Sequence, residues 1–310
     1  MLTDRGLHGW VVIDKPQGLT SNRIVQHVRR VTGAKAGHAG TLDPLATGVL
    51  PIALGEATKT TAYAMRGRKC YRFSVRWGIA RATDDGEGEI VGESDARPGT
   101  AAIEAVLPRF VGTITQAPPI YSAIKVAGRR AYALARAYAL ARADAPPSLP
   151  SRPVEIAELR LIAAPDRDTA EFEAVVGKGT YIRALARDLA SELGTVGHVA
   201  ALRRLSVGRF TEAQAISLES LADLRHSVPA CRGLLPIEIA LDGVPALALA
   251  AADAVRLRCG QRVTPDGSDW RTQVGGLEAG TVVSAWHNHA LIALAMIEDD
   301  CLRPLRIINC

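Results

Sequence analysis

The sequence predicts an α+β fold, because apolar residues follow a two-residue period in some segments and a helical period in others. Residues 70–77 alternate between apolar and polar side chains, which is the pattern of a half-buried strand. Residues 181–193 place their apolar side chains on one face of a helix. The residues of that face are Ile182, Leu185, Ala186, Leu189 and Leu193. The chain therefore contains both amphipathic helices and half-buried strands.

The first elements are a short strand and a capped helix. Residues 9–13 read as a strand, and Thr20 or Ser21 begins a helix that Gly33 ends. The apolar face of this helix consists of Ile24, Val25, Val28 and Val31. Its outer face carries Arg23, Arg29 and Arg30. Such charges are usually only solvated, so phosphate contact is the minority interpretation for them.

The later elements indicate a second, smaller domain. A strand pair is predicted at residues 154–162 and 169–176, before the helix of residues 181–193. Two prolines, Pro236 and Pro245, mark a domain boundary, so we expect domains of residues 1–240 and 241–310. In the second domain, a helix at 251–258 is closed by Gly260, and strands follow at 281–285 and 290–297.

A six-residue duplication interrupts the middle of the chain. Residues 131–136 read AYALAR, and residues 137–142 repeat them without change. Two copies are too few for a repeat architecture, so a local duplication that extends a helix before Pro146 is the simpler account. Six residues turn a helix by roughly 600°, so both copies cannot bury the same side, and Tyr138 and Leu140 are the doubtful positions.

Composition and charge set the outer bounds of function. A chain of 310 residues with 48% hydrophobic content has room for a substantial core. Five cysteines without CxxC spacing argue against a disulfide framework or structural zinc and indicate reduced thiols in a cytoplasm. The N-terminus lacks the apolar core of a signal peptide, and no apolar run is long enough for a membrane span.

The net charge of +5 is unevenly distributed. Residues 241–310 hold six Arg or Lys and eight Asp or Glu, a net charge of −2, which leaves +7 for residues 1–240. A basic surface attracts phosphates, but this charge alone is compatible with many proteins.

A glycine-rich loop at residues 37–55 (GHAGTLDPLATGVLPIALG) places one carboxylate, Asp43, directly before Pro44. The proline restricts the backbone of Asp43, and Gly37, Gly40 and Gly48 permit conformations that other residues avoid. An isolated Asp-Pro pair is usually an ordinary surface turn.

The residues around this loop and several other blocks resemble the TruB family of bacterial tRNA pseudouridine synthases. The other blocks are residues 13–22 (IDKPQGLTSN), 55–59 (GEATK), 69–72 (KCYR), 119–125 (PIYSAIK), 178–183 (KGTYIR) and 198–204 (HVAALRR). They occur in family order between residues 8 and 210, and the resemblance is weak beyond about residue 240. It implies a pseudouridine synthase fold with a mixed, largely antiparallel sheet flanked by helices and loops, plus a small β-rich PUA-like domain.

The resemblance also implies the reaction and its partners. We expect isomerisation of uridine 55 in the TΨC arm of tRNA by a cytoplasmic monomer without a cofactor or a metal. The reaction breaks the glycosidic bond, rotates the freed uracil and rejoins it through C5, and it includes no redox step. Asp43 matches the catalytic aspartate, and attack as a nucleophile and removal of a sugar proton both stay open.

Two further catalytic residues follow from the matched blocks. Arg183 lies in the first turn of its helix, where the macrodipole disfavours a cation, so an anion is expected beside it. The resemblance pairs it with Asp43, whereas the pattern alone favours an exposed arginine paired with Asp188. By pattern Tyr71 is a core residue, but the resemblance makes it the ring stacked on the flipped uracil.

The remaining site residues are substrate-binding candidates. By resemblance His38 inserts into the RNA where the target base leaves, because an enzyme acting on a uracil must flip the nucleotide out. Tyr181 is a candidate pocket wall, and Lys15 a structural partner near Asp43. Arg203 and Arg204 are expected to contact the RNA backbone. No His, Cys or Asp cluster surrounds His38, so metal ligation is not supported.

Two other classes of function stay open. A pseudouridine synthase that acts on rRNA or within a guide-RNA particle would share the chemistry of Asp43, Tyr71 and Arg183, but such particle members tend to carry long basic tails, which this sequence lacks. A non-catalytic RNA-folding protein could use the same fold, but Asp43 and Arg183 argue against inactivity. For the acidic tail, a role in packing alone is the alternative to RNA contact.

Overall fold

The computed structural model describes residues 6–122, 125–126, 129–130, 149–221, 233–264, 270–273, 275–298 and 301–310. A large mixed sheet and a smaller four-stranded sheet dominate these residues. The strands are β1 (Gly9–Lys15), β2 (Ala36–His38), β3 (Thr47–Leu54), β4 (Lys69–Trp77), β5 (Ile79–Arg81), β6 (Ile90–Glu93), β7 (Gly112–Gln116), β8 (Lys125–Val126), β9 (Arg129–Arg130), β10 (Arg152–Asp166), β11 (Thr169–Val176), β12 (Gly197–Val207), β13 (Phe210–Thr211), β14 (Ala215–Ile216), β15 (Leu234–Leu235), β16 (Ala246–Ala248), β17 (Val282–His287), β18 (Ala290–Ile297) and β19 (Leu302–Ile307). The α-helices are α1 (Ser21–Thr32), α2 (Thr61–Ala64), α3 (Thr100–Val106), α4 (Ile182–Glu192), α5 (Ala251–Arg258) and α6 (Trp270–Gln273).

The large sheet has eleven strands within the described ranges, in the order β14-β1-β3-β12-β4-β11-β10-β7 with β2, β13 and β15 on its margins. Neighbouring strands run antiparallel, except that β1 is parallel to β14 and β3 is parallel to β12. The predicted mixed, largely antiparallel sheet is therefore confirmed. Strand β12 lies in the middle of this sheet, between β3, which follows the Asp43 loop, and β4, which carries Tyr71.

The first two elements form as their local sequence predicts. Strand β1 covers residues 9–15, and its alternate side chains pack into two different clusters. Helix α1 begins after Thr20, whose hydroxyl accepts a hydrogen bond from the Arg23 amide, and ends at Gly33 in the left-handed region (φ 69°). The predicted outer arginines are exposed, and Arg29 also donates to the Ala36 carbonyl.

The strands on the other side of the sheet also follow the predicted periodicity, with one difference in length. In β4 the side chains of Phe73, Val75 and Trp77 are buried, whereas Tyr71 is only half-buried. Strand β11 has the predicted bounds, but β10 extends to Asp166 instead of ending at residue 162. Register shifts after Leu161 interrupt the two-residue period, so the pattern ends earlier than the strand does.

Helix α4 packs on this sheet and begins one residue later than predicted, with Tyr181 as its N-cap. Its predicted apolar stripe lies in the main core, where Ile182, Leu185 and Leu189 are buried. The helix thereby holds its first turn, including Arg183, at the edge of that core. Arg183 itself is 4% exposed.

The second sheet, in the order β16-β17-β18-β19, has its own core with α5 and α6. The predicted helix at 251–258 and strand at 290–297 coincide with α5 and β18, and the strand predicted at 281–285 is β17, one to two residues later. The small C-terminal sheet is confirmed; its PUA character and the boundary at residue 240 stay predictions. A 3-10 helix at Ile237–Leu241 still packs against Trp10 and Phe210 of the large sheet.

The end of the second sheet returns to the large one. Lys59 Nζ donates to the Ile307 carbonyl (2.8 Å), and the Asn309 amide donates to Glu56 Oε2 (2.7 Å). Ile308 is buried in the cluster that contains Trp10. These contacts tie the C-terminal end of the second sheet to the 3-10 helix at Gly55–Thr60, and the 3-10 helix at Ile237–Leu241 attaches its N-terminal end. The duplicated segment at 131–142, with Tyr138 and Leu140, lies outside the described residues.

Candidate active site

The Asp43 loop leaves β2 at the edge of the large sheet and returns as β3. Gly40 (φ 106°) and Gly48 (φ 97°) adopt left-handed conformations on either side of Asp43, which residues with a side chain rarely do. The expectation that Gly37 also needs such a conformation is wrong, because it lies in β2 and has no positive φ. Gly37 has the extended backbone of a strand residue, which any residue type can adopt.

Hydrogen bonds from the N-terminal elements hold the loop in place. The Ser21 hydroxyl donates to the Leu42 carbonyl (3.0 Å) and accepts from the Leu42 amide (2.8 Å). The Gly18 amide and Lys15 Nζ both donate to the Pro44 carbonyl, at 2.8 and 3.2 Å. The residues on both sides of Asp43 are therefore fixed by the chain around the start of α1.

The Asp43 carboxylate meets the Arg183 guanidinium. Arg183 Nε lies 2.9 Å from Asp43 Oδ2, and the Arg183 side chain is 5% exposed whereas that of Asp43 is 35% exposed. The other two guanidinium nitrogens donate to the main-chain carbonyls of Thr83 (2.8 Å) and Tyr121 (3.0 Å). A buried cation therefore orients a carboxylate that still faces solvent. Asp188 pairs with Arg187 instead, so the alternative Arg183–Asp188 pair does not occur.

A second carboxylate beside Arg183 was missed by the sequence analysis. Asp85 is 4% exposed, and its Oδ2 lies 3.6 Å from Arg183 Nε. Its Oδ1 accepts hydrogen bonds from the Thr83 hydroxyl and the Glu87 amide. The run of acidic residues at 84–87 was the available signal, but an acidic run is usually a solvated turn. Asp85 compensates the charge of Arg183 from the protein side and leaves Asp43 on the open side.

Lys15 lies beneath the loop. It is fully buried and donates to the carbonyls of Pro16 (2.9 Å) and Pro44 (3.2 Å). Burial lowers the pKa of Lys15 to about 8, although the nearby charge of Asp43 acts in the opposite direction. Its contacts are with the loop backbone, so the geometry is that of a support under Asp43. Its role in the reaction stays a prediction.

Strand register places Tyr71 close to the loop. Arg204 of β12 is the Cα partner of Tyr71 on one side and of Gly48 on the other. Because adjacent strands lie roughly 4.8 Å apart, Tyr71 and the end of the Asp43 loop are about two strand spacings apart. Tyr71 is half-buried and packs against the main core. It combines the core contact predicted by pattern with an accessible part, and its contact with uracil stays a prediction.

Tyr181 lies at the start of α4, two residues before Arg183. Its amide donates to Gln116 Oε1 (2.9 Å), and Gln116 Nε2 donates back to its carbonyl (3.2 Å). The guanidinium of Arg152 lies 5.3 Å from the centre of its half-buried ring. These contacts fix the backbone at the start of the helix; a role as pocket wall stays a prediction.

His38 is the last residue of β2, just before the loop. It is half-buried, and its Nδ1 is buried with no hydrogen-bond partner among the described residues. Burial lowers the pKa of His38, and the charge of Arg204 lowers it further. The imidazole is therefore held neutral near pH 7. Insertion into RNA stays a prediction.

The two arginines at 203 and 204 differ in their surroundings. Arg203 forms a bidentate pair with Asp14 (3.0 Å for both bonds) and a further bond to Glu212 (2.6 Å). A phosphate contact by Arg203 would compete with these carboxylates and stays a prediction. The expectation that Arg204 contacts the RNA backbone is wrong, because Arg204 is 1% exposed and turned inward. An alternating strand places two consecutive side chains on opposite faces.

The described part of the chain holds no group of three or more His, Cys, Asp or Glu residues that could bind a metal ion. Within the same ranges, no helix is long and apolar enough to cross a membrane. What the site offers is one solvent-facing carboxylate held by a buried arginine, with a half-buried tyrosine nearby. A carboxylate in this setting can act as a nucleophile or as a base.

Sequence comparisons relate the chain to known proteins. A sequence profile of the TruB family pseudouridylate synthase N-terminal domain matches residues 28–182, and one of the tRNA pseudouridylate synthase B C-terminal domain matches residues 183–242. The tRNA pseudouridine synthase B of Rhodospirillum rubrum is 52% identical over 98% of this chain and 97% of its own length. That of Bradyrhizobium diazoefficiens is 50% identical over 98% of this chain and 87% of its own length.

Solved structures show the same fold at lower identity. An H/ACA ribonucleoprotein bound to a substrate RNA containing 2'-deoxyuridine has a chain with a TM-score of 0.73 and 21% identity, covering 98% of this chain and 86% of that one. A Cbf5-Nop10-Gar1 complex has a chain with a TM-score of 0.74 and 22% identity, covering 97% and 85%. Because half-identical relatives match nearly the whole length, this chain belongs to the TruB family of pseudouridylate synthases.

Proposed function

We propose that this protein converts uridine to pseudouridine in tRNA, at position 55 of the TΨC loop. The observation that carries the proposal is the solvent-facing Asp43 carboxylate, oriented by the buried Arg183 at 2.9 Å. The names of the half-identical relatives support tRNA as the substrate. A basic main domain, at +7 for residues 1–240, supports binding to the phosphate backbone.

The roles of the residues follow from their positions. Asp43 either attacks the sugar or removes a proton from it, while the N1–C1′ bond breaks and the uracil detaches. If Asp43 attacks the sugar, the base rotates and C5 displaces the carboxylate from C1′; if Asp43 removes a sugar proton, that proton returns to the sugar as the C5–C1′ bond forms. The proton then leaves C5 and N1 takes up a proton, so the product is an isomer of the substrate. Arg183 orients Asp43, because its buried guanidinium donates from Nε to Asp43 Oδ2 at 2.9 Å. Asp85 balances the rest of the Arg183 charge.

Tyr71 and His38 act on the substrate in this proposal. The Tyr71 ring stacks on the flipped uracil and retains it while it turns. His38, whose imidazole is neutral, fills the gap that the flipped base leaves in the RNA. Lys15 supports the loop from below through the Pro44 carbonyl. We further propose a monomer, since every residue assigned a role belongs to one chain.

The test is incubation of purified protein with an unmodified tRNA transcript, followed by mapping of pseudouridine. We expect one modified position, uridine 55, and none in a transcript that carries cytidine there. Modification of an rRNA fragment but not of tRNA would favour the rRNA alternative, which shares the fold. Absence of pseudouridine in every RNA, with tRNA binding retained, would favour a non-catalytic RNA-folding role.

A further inference from the structure

Arg204 is a buried cation whose hydrogen bonds go to main-chain carbonyls. Its Nε donates to Val49 O (2.8 Å) and its NH2 nitrogen to Gly40 O (3.0 Å), and the residue is 1% exposed. Among the described residues, no carboxylate lies within ion-pair distance of it. Burying a charge without a carboxylate is costly, so packing alone does not account for a guanidinium at this position.

The two carbonyls lie on either side of Asp43. Gly40 precedes it in the loop, and Val49 follows it as the third residue of β3. The planar guanidinium presents several N–H groups in a fixed fork, so one side chain can hold two chain segments at a set separation. A lysine in its place would present a single flexible ammonium group. The side chain of Arg204 therefore bridges the two limbs of the Asp43 loop.

The main chain of Arg204 contacts the same loop. A Cβ built at Gly48 would lie 2.3 Å from the Arg204 carbonyl oxygen, so a side chain at position 48 is excluded by contact as well as by φ. On the other side, Arg204 is the register partner of Tyr71. One residue thus touches the loop through its side chain and its backbone and also adjoins the strand that carries Tyr71.

We propose that Arg204 is a positioning residue whose guanidinium holds the two limbs of the Asp43 loop at a set separation beside the strand that carries Tyr71. It does not touch the substrate, and the inference rests on the function proposed above. A second effect accompanies the first: the charge of Arg204 contributes to the lowered pKa of His38, after burial. Arg204 therefore influences the residues on both sides of the loop.

Two variants remove the fork of the guanidinium, and only one of them also removes the charge. Arg204→Lys retains the charge but loses the fork, and Arg204→Gln retains a planar donor but loses the charge. We expect single-turnover rates on tRNA to fall about 100-fold in both, because a displacement of about 1 Å in a catalytic group costs about that factor. The dissociation constant for tRNA should stay within roughly threefold, because a buried side chain makes no phosphate contact.

The His38 titration gives a readout that lost stability alone would not move. The pH at which the His38 imidazole titrates, followed by NMR, should rise in Arg204→Gln and stay near the parental value in Arg204→Lys. Arg209→Lys is the matched control, since Arg209 pairs with Asp242 on the surface, outside the site. It should leave the rate, the affinity and the titration unchanged. If Arg204→Lys does not fold, Arg204→Gln carries the kinetic test.

Two results would overturn the proposal. A folded Arg204→Lys with a rate within threefold of the parent would show that the fork is dispensable. A loss of affinity with a salt slope reduced by about one phosphate contact would make Arg204 an RNA ligand instead. If the parent protein itself makes no pseudouridine in tRNA, the proposed function fails and not this inference. If the parent protein makes pseudouridine and both Arg204 variants react at the parental rate, the proposed function stands and only the positioning role of Arg204 is rejected.

Discussion

Replacing Asp43 by Asn tests the assignment of the reacting group. The amide is nearly isosteric and still accepts a hydrogen bond from Arg183 Nε, which lies 2.9 Å from the carboxylate now. It has no negative charge and cannot act as a nucleophile or a base at neutral pH. We expect a rate at least about 10⁴-fold lower, as for loss of a catalytic nucleophile in other enzymes. This factor corresponds to about 5.5 kcal/mol of activation free energy.

The effect of the same change on stability should be much smaller. The Asp43 side chain is 35% exposed, so solvent screens its ion pair, and the loss of its charge should cost about 1 kcal/mol or less. Asp85, with Oδ2 3.6 Å from Arg183 Nε, continues to balance the buried guanidinium. A loss of this size lowers the melting temperature by about 2–4 °C. The variant should therefore be folded under the conditions in which turnover is measured.

The assay is a single-turnover reaction with excess enzyme and tRNA tritiated at C5 of uridine, because C5 must release its hydrogen before the product is complete. Binding of tRNA, measured in parallel, should stay within a few-fold of the parental affinity, since the phosphate contacts are unchanged. Asp242→Asn provides the control, as Asp242 is an exposed aspartate paired with Arg209. Turnover of Asp43→Asn within tenfold of the parent would refute the assignment.

Four other outcomes are expected. Tyr71→Phe should fold normally but lose most of its turnover, with Tyr63→Phe as the control. Full activity of Tyr71→Phe would show that Tyr71 is only a core residue. EDTA and dialysis should leave turnover of a short stem-loop substrate intact, so strict metal dependence there would reveal an unrecognised site. Removal of residues 242–310 should weaken tRNA binding modestly, change the salt slope by about one phosphate contact or less and nearly preserve the chemical step. It should also lower the melting temperature because Ile308 leaves the Trp10 cluster; loss of chemistry in a folded truncation would contradict this. Burial lowers the pKa of Lys15 from 10.5 to about 8, so the unfolded chain binds more protons between these values and stability rises with pH there. Urea unfolding at roughly pH 7.5 and 9.5 measures this rise in the free energy of unfolding, and in Lys15→Met the part that comes from Lys15 should vanish. If the free energy of unfolding depends on pH in the same way in Lys15→Met, the buried Lys15 is not the source of the rise.

The sequence predicted the elements whose burial repeats along the chain. Strand β4 and helix α1 each bury a regular set of side chains, so local periodicity contains the signal. Strand β18 is instead a continuous apolar run whose central residues are all buried. Strand β10 was underestimated, because its bulges break the period that the prediction uses. The order of strands in the sheet is not a local property, and only the family resemblance indicated its mixed character.

The site was predicted only in part for a related reason. Asp43 and Arg183 lie in recognisable blocks, but Asp85 stands in an acidic run that resembles a solvated turn. Arg204 resembled a surface cation, because two consecutive arginines in a strand have the same composition and opposite orientations. The sequence does not say which of them faces inward unless the register of β12 is known. The contacts of Asp85 with Arg183, and of Arg204 with the Asp43 loop, join residues that are far apart in the sequence, so local sequence patterns do not reveal them.

The pair that defines the site also constrains how activity can appear during folding. Asp43 and Arg183 are 140 residues apart, and the carbonyl of Val49 is 155 residues from the arginine that holds it. Contacts at such separations close late, since long loops lose more entropy on closure and non-local topologies fold slowly. During refolding, recovery of sheet structure should therefore precede recovery of turnover. Because the proposed reaction needs Arg183 beside Asp43, we expect fragments that end before α4 to make no pseudouridine, however well their strands pair.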